Sequence, residues 1–152
     1  TLEAIYKLDK PTLWFWPNVD AGADGTSTGI RAFREQHQLP NVHFFKNMEG
    51  MDFLQLLQHC DCLIGNSSVG IRECAFLGVP VINIGSRQNR RDRAENTVDV
   101  DYSQAQIEEA ILASIQKGKS KSSSIYGNGK AGVQIANLLA EVPLQFHKTI
   151  MY

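Results

Sequence analysis

No stretch of this 152-residue sequence is apolar for long enough to span a bilayer, which takes ~18 consecutive residues. Nor does it open on the apolar segment of a secretory signal, since TLEAIYKLDK is a short amphipathic stretch. The expectation is a cytoplasmic chain. An excess of one charge is missing too: 15 Lys and Arg stand against 16 Asp and Glu, a net charge of −1. That balance gives no electrostatic reason to expect a nucleic-acid or anionic-membrane partner. Cysteine is scarce, with only Cys60, Cys62 and Cys74. The first two are too close for an easy disulfide, and no second pair stands at zinc spacing, so buried reduced thiols and no metal site are expected. His37, His43, His59 and His147 are scattered, and nothing forms a nucleophile–base pair. There is no internal repeat.

What is present is an ordinary globular composition, 43% hydrophobic and 20% charged. The length suits one domain, which at this size buries roughly 68–70% of its unfolded surface. Short apolar runs alternate with helical patterns. Strands are expected at Thr12–Trp16, Val42–Phe45, Asp61–Gly65 and Val79–Ile84, with a short one at Thr97–Val100. Pro80 argues that the first residues of the fourth strand lie at its entry rather than its middle. Helices are expected at Thr26–Gln38, Met51–His59, Ser68–Leu77, Ser103–Lys117 and Ala131–Glu141. Gly118–Lys130 is rich in Gly and Ser and reads as a flexible linker. Strands alternating with helices indicate βαβ units, hence a Rossmann-like, three-layer α/β/α fold around a parallel sheet. Such sheets bind ligands at the carboxyl ends of their strands.

The turn Gly65-Asn66-Ser67-Ser68 leaves the third strand and opens a helix. Unpaired N–H groups at a helix start favour an anion, and two hydroxyls add donors for a phosphate. The alternative is that one serine merely caps the helix. The turn is no Walker A loop, because no Gly-Lys-Ser/Thr follows it, and it lacks the GxGxxG of a nicotinamide or flavin dinucleotide site. Glu73 falls five residues after Ser68, about 7.5 Å along a continuous helix. Its carboxylate either accepts from ribose hydroxyls or pairs with Arg72 in solvent. Beyond the fourth strand lie Arg87, Arg90, Arg91 and Arg93. A guanidinium suits phosphate oxygens; most of the four are expected to be solvated, with Arg87, nearest the strand, best placed for a diphosphate. Asn18, after the first strand, serves either a ligand or an Asx-turn.

Taken in order, WPNVDAG, DCLIGNSSVGIRECAFLGVPVINIGSRQ and YGNGKAG resemble the UDP-N-acetylglucosamine 2-epimerase family over most of residues 10–140. The likeness is to the hydrolysing branch, which makes N-acetylmannosamine for sialic acid and related sugars; non-hydrolysing relatives carry Ser-Asp-Ser-Gly-Gly in place of the Gly65–Ser68 turn. The resemblance implies the C-terminal half of a two-domain enzyme of GT-B architecture, the half that holds UDP. It implies Ser67 and Ser68 on the diphosphate, Glu73 on the ribose, Arg87 beside the phosphates and Asn18 at the nucleotide. Asn47 and Met48 would frame the uracil through backbone groups. No cofactor or metal is implied, and no catalytic acid or base in this chain, because those belong to the first domain. By this reading residues 1–152 are one UDP-binding domain of a longer protein, inactive alone, with homo-oligomerisation of the whole enzyme open. Competing expectations are the donor half of a GT-B glycosyltransferase, a non-catalytic nucleotide-sugar binding domain, and a purely structural Rossmann-like module.

Overall fold

The computed structural model describes residues 1–18 and 23–143. In chain order the elements are α1 (Leu2–Leu8), β1 (Thr12–Phe15), α2 (Ala23–Gln36), β2 (Val42–Phe45), α3 (Gly50–His59), β3 (Leu63–Gly65), α4 (Ser68–Ile71), α5 (Glu73–Leu77), β4 (Val81–Ile84), β5 (Thr97–Val100), α6 (Gln104–Lys117) and α7 (Ala131–Glu141). Every strand pairing is parallel. β1 pairs with β2, and β3, β4 and β5 form a second ladder in that order.

β4 shows why the sheet is covered on both faces. All four of its residues are buried, and successive side chains of a strand point to opposite faces. Ile82 and Ile84 join Ala4, Ile5, Ile107, Ala110 and Ile111, so α1 and α6 close one side. Val81 joins Leu57, Cys74 and Val79, so α3 and α5 close the other. Trp14 and Val42 from the β1–β2 ladder, and Ile64 of β3, pack on the first cluster, giving both ladders a shared core. The α/β/α layering expected from the strand–helix alternation is therefore present, with the sheet hydrogen-bonded in two pieces.

Several boundaries move for local reasons. α2 starts at Ala23, with Asp24 in its first turn, where a carboxylate is favourable. β1 ends at Phe15, although the Trp16 N–H still donates to the Phe45 carbonyl at 2.9 Å. β4 starts at Val81, directly after Pro80, as proline's missing donor requires. α3 is capped by Glu49, whose carboxylate accepts from the N–H groups of Met51 and Asp52.

Two expectations need correction. The helix over Ser68–Leu77 is interrupted at Arg72, whose φ of −99° and ψ of −71° depart from helical values. The buried stripe of Gly70, Ile71, Cys74 and Ala75 runs through the interruption, so periodicity alone cannot register it. Gly118–Lys130, expected to be a free linker, is tied down. Ser120 N–H donates to the Gly78 carbonyl at 2.8 Å, Ser123 N–H to Ala75 at 2.9 Å, and the Tyr126 hydroxyl to Asp92 at 2.9 Å. Backbone groups make most of these bonds, so composition gave no sign of them.

Candidate functional site

Within each ladder the strands run parallel, so their carboxyl ends lie on one edge of that ladder. Residues 16–18 after β1 and 46–48 after β2 open onto that edge of the first ladder, and residues 66–68 after β3 and 85–87 after β4 onto that of the second. The register sharpens this: Gly65, Asn83 and Asp99 stand in one row across the three-stranded ladder.

Gly65 has φ of +144°, a conformation closed to side chains, so the chain leaves β3 in a direction only glycine permits. Ser67 then adopts an extended conformation as the N-cap of α4, and its Oγ accepts from the Val69 N–H at 3.4 Å. That is a long capping bond, and the hydroxyl keeps its own proton to donate elsewhere. Ser67 is exposed and Ser68, the first residue of α4, half-buried. The capping role is thus present but weak. Since α4 has only four residues, the electrostatics of this turn rest on its local N–H groups rather than on a long helix dipole.

Glu73 is the first residue of α5, just past the interruption at Arg72. The rise of about 7.5 Å that a continuous helix would give therefore does not set its distance from Ser68. Its side chain is 38% exposed, and its oxygen lies 4.0 Å from an Arg72 nitrogen. At that separation and exposure the pair is worth little, and the carboxylate stays accessible. Asn18 is exposed. Asn47 uses its own Oδ1 to accept from the Met48 N–H at 2.9 Å, fixing a local turn, with Met48 half-buried beside it. Arg87 is exposed at the start of the loop after β4.

Sequence reasoning missed the network that holds this loop. Asn83, 1% exposed in an otherwise apolar strand, donates from Nδ2 to Asp99 Oδ1 at 2.6 Å. Arg93 Nε approaches Asp99 Oδ2 at 3.1 Å. Arg93 Nη2 donates to the Gln88 carbonyl at 2.8 Å and Nη1 to that of Arg91 at 2.6 Å. Gln88 Nε2 in turn donates to the Asn66 carbonyl at 2.7 Å, inside the serine turn. Arg93 is therefore a brace with its side chain only 22% exposed, a role that the sequence did not single out among the four arginines. One signal was legible: an asparagine inside the apolar run VPVINI must find a partner when buried. Gln88 Oε1 is buried with no partner among the described residues, a cost of about 1–3 kcal/mol.

A depression of about 600 Å³ between β5 and α6 touches Gly85 and Ser86 but is lined by Asp99, Asp101 and Glu109. Its charge has the wrong sign for a phosphate, so it does not compete with the serine turn. No cluster of three or more metal-ligating side chains occurs among the described residues, and no helix among them is long and apolar enough to cross a membrane. All three cysteines are free thiols. Cys74 faces the core cluster of Leu57, Val79 and Val81 rather than the site. Burial, reinforced by the Cys60 and Glu73 charges, pushes its thiol up to about 12; burial, with Cys60 and Asp61, does the same to Cys62.

These features define a Rossmann-like α/β domain that presents small polar turns and arginines at its strand carboxyl ends. Residues 1–140 match the family model described as UDP-N-acetylglucosamine 2-epimerase, and the chain belongs to this family. A UDP-N,N'-diacetylbacillosamine 2-epimerase (hydrolyzing) of Legionella pneumophila is 35% identical, over 84% of this chain and 33% of its own length. A UDP-N-acetylglucosamine 2-epimerase of Neisseria meningitidis is 30% identical, over 75% of this chain and 29% of its own. A GDP/UDP-N,N'-diacetylbacillosamine 2-epimerase (hydrolyzing) of Campylobacter jejuni is 37% identical, over 52% and 21% respectively. The chain thus spans a third or less of the length of these relatives.

Proposed function

We propose that this chain is the nucleotide-binding, C-terminal half of a hydrolysing UDP-N-acetylglucosamine 2-epimerase. The observation that carries the reading is the tie from Gln88 to Asn66, which joins the Arg87 loop to the Ser67–Ser68 turn at one sheet edge. In this reading Ser67, Ser68 and Arg87 meet the diphosphate, Glu73 the ribose hydroxyls, and Asn18, Asn47 and Met48 the nucleoside. In the reaction, a base removes the proton at C2 of the sugar while the anomeric C–O bond breaks and its electron pair leaves with UDP. Water then adds across the resulting double bond, with hydroxyl to C1 and hydrogen to C2, giving the C2-inverted free sugar. The work of this half is to stabilise charge growing on the diphosphate as it departs. The acid and base come from the other half.

The test is thermal unfolding with and without millimolar UDP, in this chain and in the protein carrying both halves. A ligand at 100 times its dissociation constant adds about 2.7 kcal/mol. Stabilisation by UDP that Ser67→Ala/Ser68→Ala and Glu73→Ala remove supports the reading; no UDP binding by the two-half protein overturns it. A second reading concerns the sugar, because two of the relatives are named for UDP-N,N'-diacetylbacillosamine. Comparing UDP release from that substrate and from UDP-N-acetylglucosamine decides between them.

A further inference from the structure

We infer that Gln88 is a positioning residue whose amide locks the arginine loop to the serine turn, so that both can face one diphosphate. The inference rests on the nucleotide-binding reading above. Gln88 is 3% exposed, whereas Ser86, Arg87, Asn89, Arg90, Arg91 and Asp92 around it are all exposed. It is the buried anchor of a polar loop. Its Nε2 reaches the Asn66 carbonyl across 22 residues of sequence, and its own carbonyl is gripped by Arg93, itself held on Asp99 of β5. Asp99 also takes the buried Asn83 amide from β4. The relay therefore runs from β4 and β5, through the loop, into the turn between β3 and α4.

The chemistry of the amide distinguishes placement from stability. Exchanging the amide's oxygen and nitrogen would set Oε1 against the Asn66 carbonyl, two acceptors facing each other, so the orientation is fixed by this one bond. Oε1 is left buried and unpartnered among the described residues, which offsets what the bond contributes. Removing the amide loses the bond to Asn66 but also removes the buried, unpartnered Oε1, and the two offset. A methionine of similar shape should accordingly leave the fold intact while freeing the loop from the turn.

The experiment is titration of wild type and Gln88→Met with UDP, UMP and uridine, beside hydrogen exchange of amides 66–69 and 86–92. Because the lock acts on the phosphate end, UDP affinity should fall about tenfold, which corresponds to about 1.4 kcal/mol, while uridine affinity stays unchanged. Exchange should quicken in both segments with the midpoint of unfolding nearly constant. Gln88→Asn, which keeps the amide on a shorter stem, should behave like methionine. Equal losses for UDP and uridine, or unchanged exchange in both segments, would overturn the positioning role while leaving the nucleotide reading standing. Absence of UDP binding in the wild-type two-half protein would overturn both.

Discussion

α6 and α7 carry similar sequence patterns and meet opposite fates. α6 buries Ile107, Ala110 and Ile111 against β4 and α1, and Ser114 is buried as well. α7 is rich in apolar residues, yet Val133, Ile135, Leu138 and Leu139 are 56–65% exposed and none of its residues is buried. Periodicity makes a segment able to be an amphipathic helix, but only an opposing surface turns that stripe into stability. The β3–β4–β5 ladder supplies such a surface to α6. Nothing among the described residues supplies one to α7.

The comparison can be broken by mutation. Ile107→Ala removes a fully buried side chain from the α1–α6 cluster and should cost about 2–5 kcal/mol in denaturant unfolding. A loss below ~1 kcal/mol would mean that α6 is not the anchor described. High pH probes both faces of the same packed half, because Cys62 borders one core cluster and Cys74 belongs to the other. Their folded values of about 12 lie above the reference of 9.0. Above pH 9 the unfolded state releases these protons first, so the native state binds more. Stability should then fall between pH 9 and 12, by up to about 1.4 kcal/mol per pH unit for each thiol. Cys74→Ala should shallow that slope, and truncation after Lys130 should leave it unchanged. A flat profile would show the thiols to be hydrated. The smallest effect belongs to α7, where Leu138→Ala should change stability by less than about 0.5 kcal/mol. A loss matching that of Ile107→Ala would mean that α7 is packed in solution.

The strands were legible because short apolar runs between Pro, Gly and polar breaks leave few other choices. The Gly65–Ser68 turn was legible because glycine and serines at a strand-to-helix junction combine a backbone need with a donor set. α1 was read only as an amphipathic stretch; its helix is held by Ala4 and Ile5 in the core and by Lys7, 2.6 Å from Glu108. Arg72 breaks a helix that its neighbours' pattern continues. The arginine loop was the least legible, since four similar side chains in seven residues give no clue to which of them braces the loop.

The sequence by itself determined the alternation of strands and helices, the parallel α/β class and the chemistry available at each strand end. Local propensity and apolar spacing act within a few residues, and that suffices for those features. Only the tertiary structure decided that Gln88 reaches Asn66, that Arg93 grips Asp99, and that Tyr126 meets Asp92 across 34 residues. These bonds join segments with no shared periodicity, and their partners are set by the register of β3, β4 and β5, which exists only once the sheet has formed.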